Sequence, residues 1–179
     1  MTERIIISGA GGQGVMLLGK VLALAAMQEE KFVSWLPAYG AEVRGGAAFC
    51  MTTISDAEIG SPFIELADTL IVMNGLSWQR FHDRLKKNGL LLLNTSLIDC
   101  RPKGGFQLEA HPFTDIAIRL GKAQVANMVI LGCLLAKTRL VAVESVLKVM
   151  EDMLKGENNK ELLEINKKAL KAGRDLVKG

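Results

Sequence analysis

The sequence lacks any hydrophobic run long enough to cross a membrane. Glycine and polar residues interrupt each apolar stretch before it reaches the roughly 18 residues that a membrane-spanning helix needs. A secretory signal is not expected either, because the first apolar segment begins with Glu3 and Arg4 and carries a glycine-rich turn where a signal peptide has its apolar core. We therefore expect a soluble, cytoplasmic protein that makes no membrane contact.

Aromatic residues are few, at 5% of the chain, and no strand interleaves them with basic residues as a base-stacking platform for nucleic acid would. The net charge is only +3, and the densest basic run is Lys167, Lys168, Lys171 and Arg174. These four residues fall on one arc of a helix, which is typical of a solvated helix face. We therefore expect no nucleic-acid partner.

Residues that bind metals are scarce. The three cysteines, Cys50, Cys100 and Cys133, are far apart and odd in number, which predicts neither a disulfide framework nor the ligand set of a zinc or iron–sulfur site. They are predicted to be buried thiols. The two histidines, His82 and His111, do not form a pair at helix spacing. We expect no metal site in this chain.

The length of 179 residues favours a single domain, residues 1–179. Apolar, β-branched runs predict strands at 4–8, 31–36, 47–54, 69–74, 90–94 and 107–110, the second of them stopped by Pro37. Helical patterns cover residues 15–27, 77–87, 114–121, 123–138, 143–155 and 159–177, with Ser77 as the predicted cap of the second helix.

This alternation predicts an α/β fold: a three-layer α/β/α sandwich on a mostly parallel, mixed sheet, with a Rossmann-like N-terminal half and a helical C-terminal third. The short excursion over residues 47–62 predicts an antiparallel pair within that sheet.

The first predicted strand runs into a glycine-rich loop that contains Gly9, Gly11, Gly12, Gln13 and Gly14. The spacing is G-x-G-x-x-G between a strand and a helix, where amide groups favour an anion. A dinucleotide site would also need an acidic residue after the second strand, but residues 34–36 are Ser, Trp and Leu. Two interpretations stay open for these glycines with about equal weight: a ligand site, or close packing of helix on strand.

A second glycine-rich segment follows the second predicted strand and should emerge at the same edge of the sheet. Its candidate binding residues are Tyr39, Glu42, Arg44, Gly45 and Gly46. They could contact a ligand or a partner. Alternatively, the glutamate and the arginine could pair with each other to hold the loop.

Asn127 is a single amide within an apolar helical segment, where an unpaired polar group would cost roughly 1 to 3 kcal/mol. It either orients a loop or bonds a nearby backbone carbonyl. The chain is also 49% apolar with 8 methionines, which indicates more apolar surface than a lone domain tolerates and favours large subunit contacts.

The motifs GAGGQG at residues 9–14, PAYGAEVRGG at 37–46, IGSP at 59–62 and ANMV with LG at 126–132 resemble the gamma subunit, or gamma domain, of the 2-oxoacid:ferredoxin oxidoreductases. The resemblance implies a complex that cleaves a 2-oxoacid with thiamine diphosphate and magnesium, passes electrons through iron–sulfur clusters to ferredoxin, and releases an acyl-coenzyme A. It also implies alpha, beta and delta partner subunits that carry most of this chemistry, so the chain would not be active alone.

On this resemblance the two glycine-rich loops and Asn127 would border the shared active site and help to receive coenzyme A. Relatives handle pyruvate, 2-oxoglutarate, 2-oxoisovalerate or indolepyruvate, and we favour 2-oxoglutarate. Two other functions remain open: a self-contained nucleotide-dependent oxidoreductase of Rossmann type, and a purely structural assembly subunit.

Overall fold

In the computed structural model, which describes residues 1–39, 47–156 and 159–177, six strands form one sheet in the order β2-β3-β1-β4-β5-β6. The strands are β1 (Thr2–Ala10), β2 (Phe32–Tyr39), β3 (Ala47–Ser55), β4 (Ala67–Val72), β5 (Leu85–Asn94) and β6 (Gln107–His111). The described helices are α1 (Val15–Gln28), α2 (Gly75–Phe81), α3 (Phe113–Arg119), α4 (Ala126–Thr138), α5 (Val143–Met153) and α6 (Lys160–Asp175). Two single 3₁₀ turns, His82–Arg84 and Ala123–Val125, follow α2 and precede α4.

The sheet is mixed, as predicted. Strand β1 pairs in parallel with β4, and β4, β5 and β6 continue the parallel arrangement. Strand β3 runs antiparallel between β1 and β2. The first βαβ unit therefore differs from the dinucleotide-binding fold, because β3 separates β1 from the strand that α1 leads to.

The helical layers on the two faces of the sheet are unequal. Alternate residues of β5 divide between them: Leu90 and Leu92 face a core formed with α1, α3, α4, α5 and α6, whereas Leu91 and Leu93 face a smaller core. Besides strand residues, the buried members of the smaller core are Phe81 of α2 and two residues outside the helices and strands, Ile64 and Ile98. Both faces are covered, which explains why residues 90–93 of β5 are all leucine.

Three predicted boundaries are wrong. Pro37 does not end β2, which continues to Tyr39, because β2 is an edge strand and can tolerate a residue that donates no ladder hydrogen bond. Helix α2 is capped by Asn74, whose side chain accepts a hydrogen bond from the Ser77 backbone at 2.9 Å, and Ser77 lies inside the helix. The helix also ends at Phe81, since β5 already begins at Leu85.

Helices α4 and α6 cross at a pair of glycines with their backbones in contact. A Cβ atom added to Gly132 would lie 2.9 Å from the carbonyl carbon of Leu170, and one added to Gly173 would lie 2.7 Å from that of Val129. Only glycine allows this approach.

Within the described ranges, no helix combines the length and apolar character that crossing a bilayer requires.

Candidate functional site

The strands β1 and β4 lie side by side, and the connections that follow their carboxyl ends run to opposite sides of the sheet. The chain passes from β1 through α1 to β2 on one side, and from β4 through α2 to β5 on the other. Open α/β sheets bind ligands at such a switch point. A cavity of about 190 Å³ lies there, lined by Gly12, Gln13, Met73, Leu97 and Thr114 together with the start of α4.

The glycines of the first loop have different roles. Gly9 belongs to β1, and a Cβ atom there would lie 2.8 Å from Val15 Cγ2 and 3.1 Å from Met73 Cβ. Gly14 precedes α1 with φ of 74°, and its Cβ would lie 2.8 Å from Asn127 Cγ. Both positions therefore serve close packing. Gly11 and Gly12 have no atom within 4 Å of a Cβ position, so this part of the loop is bare and open.

Side-chain amides hold the loop in this form. Gln13 Oε1 accepts hydrogen bonds from the Ala10 backbone at 2.7 Å and from Asn74 Nδ2 at 3.1 Å. Asn74 in turn caps α2, and the Ser77 hydroxyl donates to the Gly9 carbonyl at 3.3 Å. The ends of β1 and β4 are thereby fixed to each other.

Asn127 completes this arrangement from α4. It is 2% exposed, and its Nδ2 donates to the Gly14 carbonyl at 3.2 Å while its Oδ1 accepts from the Met128 backbone at 2.9 Å. The Gly14 carbonyl also accepts the first hydrogen bond of α1, from Leu18 at 2.9 Å. The interpretation that Asn127 bonds a nearby backbone carbonyl is confirmed, and that carbonyl belongs to the residue directly before α1.

The contact between Asn127 and Gly14 brings the N-termini of α1 and α4 to the same place. No acidic residue lies in the first turn of either helix. No carboxylate in these turns therefore balances the partial positive charge of the two helix starts, and a helix start of this kind is a setting that favours an anion.

The second predicted loop is described only at its start. Tyr39 ends β2 and pairs with Ala48, which pairs with Gly9 across β3, so both loops do leave the same edge of the sheet. Tyr39 is 74% exposed. The other four candidates, Glu42, Arg44, Gly45 and Gly46, lie outside the described residues.

Large apolar side chains are exposed around this edge. Leu17 in the first turn of α1, Tyr39 after β2, Leu76 in the first turn of α2 and Leu97 after β5 are all at least 40% exposed. We refer to these four residues as the apolar rim. Several exposed apolar residues at one edge of a sheet are typical of a surface that another chain covers.

The described residues that line the cavity include no ionisable side chain. Burial raises the pKa of the Cys50 thiol to about 12, and burial followed by the nearby Glu109 charge raises that of Cys133 to about 12. These two thiols are buried, as predicted, whereas Cys100 is half-buried on the other face of the sheet. The cavity therefore presents backbone, amide and apolar groups.

The sequence around Lys20 superficially imitates a phosphate-binding loop, and the structure gives it another role. Helix α1 begins at Val15, so Gly19 and Lys20 lie within the helix. Gly19 faces β3, where its Cβ would lie 3.2 Å from Thr52 Oγ1. This glycine serves the packing of α1 on the sheet.

Asn74 and Ser77 act in the loop network, although sequence reasoning gave them no such part. The signal for Asn74 was an amide directly after an apolar strand, which is also where a helix cap is expected.

The IGSP motif lies at the opposite end of the sheet, in a groove of about 570 Å³. Both cations that line this groove, Arg4 and Lys86, pair with Asp68.

A family model described as pyruvate ferredoxin/flavodoxin oxidoreductase matches residues 4–176. Ketoisovalerate oxidoreductase subunit VorA of Methanothermobacter marburgensis is 35% identical over 96% of this chain, and the chain spans 36% of that protein's length. 2-Oxoglutarate synthase subunit KorC of Methanocaldococcus jannaschii is 34% identical over 93% of this chain and 92% of its own. The crystal structure of a keto/oxoacid ferredoxin oxidoreductase gamma subunit from Geobacter sulfurreducens superimposes with a TM-score of 0.82, at 31% identity and 97% coverage of both chains.

Proposed function

Since this chain belongs to the pyruvate ferredoxin/flavodoxin oxidoreductase family, we propose that it is the gamma subunit of a multi-subunit 2-oxoacid:ferredoxin oxidoreductase. The complex cleaves a 2-oxoacid oxidatively, forms an acyl-coenzyme A and reduces ferredoxin. Alpha, beta and delta subunits complete it, and it works in the cytoplasm.

The observation that carries this proposal is that the site holds only some of the chemical groups that a reaction needs. The described residues around the cavity supply an anion-favouring loop and no acid, base or nucleophile. The apolar rim lies at the same edge of the sheet, and its Leu97 lines the cavity. A partner that covers the rim would both exclude water and bring the missing reactive groups.

The remaining cofactors belong to the partner subunits in this proposal. An iron–sulfur cluster usually takes four thiolates, whereas this chain has three cysteines. Two of them, Cys50 and Cys133, are buried in one core, and Cys100 packs against the other. These residues do not fit a cluster. Thiamine diphosphate and its magnesium are likewise assigned to the partners.

We propose that the bare part of the loop, at Gly11 and Gly12, receives a phosphate group of coenzyme A. The helix N-termini of α1 and α4 favour such an anion, and the absence of side chains lets it approach the backbone. Gln13, Gly14 and Asn127 hold the loop in place, and Tyr39 ends β2 at the same edge of the sheet.

The substitution Gly11→Val tests this role cleanly. The added side chain meets no atom of this chain within 4 Å of its Cβ and the backbone needs no positive φ, so folding of the chain should be unchanged. In the assembled complex we expect at least about tenfold weaker apparent affinity for coenzyme A, which corresponds to about 1.4 kcal/mol. Unchanged affinity and turnover would contradict the coenzyme A role. Gly60→Val, at an equally open glycine in the opposite groove, is the matched control.

We propose 2-oxoglutarate as the substrate, because the KorC relative corresponds to this chain over almost its whole length. The test is reduction of a viologen dye by the isolated native complex with coenzyme A and, in turn, 2-oxoglutarate, pyruvate, 2-oxoisovalerate or indolepyruvate. Reduction with another 2-oxoacid would change the substrate alone. No reduction with any of them would overturn the proposed function.

A further inference from the structure

Strand β6 and helix α4 bring together three side chains that can bind a metal ion: Glu109, His111 and Cys133. Glu109 and His111 are two residues apart in the strand, so they project from the same face of the sheet. Helix α4 packs on that face and supplies Cys133. The donor atoms of the three residues all lie within 4.8 Å of one another.

A carboxylate oxygen, an imidazole nitrogen and a thiolate sulfur are the three ligand types that zinc uses in proteins. Zinc holds them at about 2.0 to 2.3 Å, which places neighbouring ligand atoms about 3.2 to 3.8 Å apart in a tetrahedron. Glu109 Oε2 lies 2.8 Å from His111 Nε2, and no two donor atoms of the set are more than 4.8 Å apart, so the atoms lie near the separations of a tetrahedral site.

We propose that Glu109, His111 and Cys133 bind one divalent transition-metal ion of the zinc type. Three protein ligands leave a fourth coordination position for a water molecule. The Glu109 and His111 side chains are 15% and 23% exposed, whereas Cys133 is fully buried behind them. This geometry admits a small ion from solvent and keeps larger molecules away from the thiol.

The charges around the cluster define how the ion would enter. Without metal, Lys137 Nζ lies 2.8 Å from Glu109 Oε1, while Glu109 Oε2 faces His111. The ion would use Oε2, and Lys137 would keep Oε1. Binding would displace the thiol proton of Cys133 to solvent, because a metal-bound cysteine is a thiolate. The positive charge of Lys137 repels the incoming cation, although the same charge lowers the pKa of the Cys133 thiol and so favours loss of its proton.

Cobalt(II) titration of the purified 179-residue chain tests the site, because sulfur-bound cobalt gives an intense near-ultraviolet charge-transfer band. We expect one equivalent to bind with that band and zinc to displace it. His111→Gln and Cys133→Ala should each weaken binding by more than about 100-fold, since even outer-shell partners of a metal site are worth about 10- to 100-fold. Thermal melts of both variants check that each has folded.

The chain offers matched controls for each ligand type. Cys100→Ser and His82→Gln, which alter the half-buried cysteine and the other histidine, should leave cobalt binding unchanged. Lys137→Gln should tighten it, because the competing cation is removed. If the cluster is only a set of ion pairs that stabilises the fold, Lys137→Gln lowers the melting temperature and no charge-transfer band appears in any variant. That result, or binding unaffected by His111→Gln, would overturn the proposal.

Discussion

The crossing of α4 and α6 gives the sharpest test of the packing, through the substitution Gly132→Ala. The added methyl group would lie 2.9 Å from the carbonyl carbon of Leu170 and 3.0 Å from the backbone nitrogen of Arg174. These are main-chain atoms, so no side chain can rotate to make room. The two helices must move apart along a contact that includes the reciprocal glycine, Gly173.

Overpacking of this kind costs about 1 to 3 kcal/mol, and we expect about 3 because the obstacle is backbone on both sides. Replacing a mid-helix glycine by alanine returns about 1 kcal/mol through helix propensity. The net loss of about 2 kcal/mol should lower the melting temperature by about 4 to 8 °C in a domain of this size.

The assay is thermal unfolding followed by circular dichroism, with Gly75→Ala as the control. Gly75 begins α2 and has no atom within 4 Å of its Cβ position, so only the propensity gain applies there. We expect that variant to melt at the same temperature as the parent or a few degrees higher. If Gly132→Ala is as stable as Gly75→Ala, the close approach of the two helices is refuted.

Three further predictions concern the loop network and the thiols. Gly14→Ala should lower the free energy of unfolding by about 2 to 3 kcal/mol, because of the positive φ at this position and the contact with Asn127. In an Asn127→Ala background the loss should be at least about 1 kcal/mol smaller. Denaturant unfolding measures both losses, and additive losses would disprove the contact. Asn74→Ala should lower stability by about 1 kcal/mol in the same assay through loss of the α2 cap, whereas Asn74→Asp keeps an acceptor and should stay near the parent; equal losses would argue against capping. Because their pKa values are raised to about 12, Cys50 and Cys133 remain protonated at pH 8, so a thiol reagent should modify only Cys100 in the native chain and all three cysteines in denaturant; fast reaction of two or more native thiols would contradict their burial.

The strands of the central sheet could be predicted because burial on both faces leaves a strong signal. Residues 90–93 are four leucines in a row, and the structure divides them between the two cores. The first half of β5 was missed, since Lys86, Lys87, Asn88 and Gly89 carry no such pattern. That part of the strand pairs only at Leu85, through an irregular register.

The position of the glycine-rich loop could be predicted, but the role of each glycine within it could not. The spacing of the glycines indicates a loop between strand and helix, and the loop is there. Whether a glycine packs or stays bare depends on neighbours from distant segments, such as Asn127 above Gly14. The cluster of Glu109, His111 and Cys133 was beyond sequence reasoning for the same reason, because only the packing of α4 on β6 brings Cys133 to the other two.

The position of β1 at the centre of the sheet also constrains how the chain folds as it is made. Its first neighbour, β3, is complete only at Ser55, and its second, β4, only at Val72. Until Ser55 is made, the apolar residues Ile5, Ile6 and Ile7 have no strand beside them, and one side of β1 stays unpaired until Val72 is made. Closing such distant pairs makes folding slow. A newly synthesised chain therefore exposes an aggregation-prone segment from its first residues until two-fifths of its length has emerged.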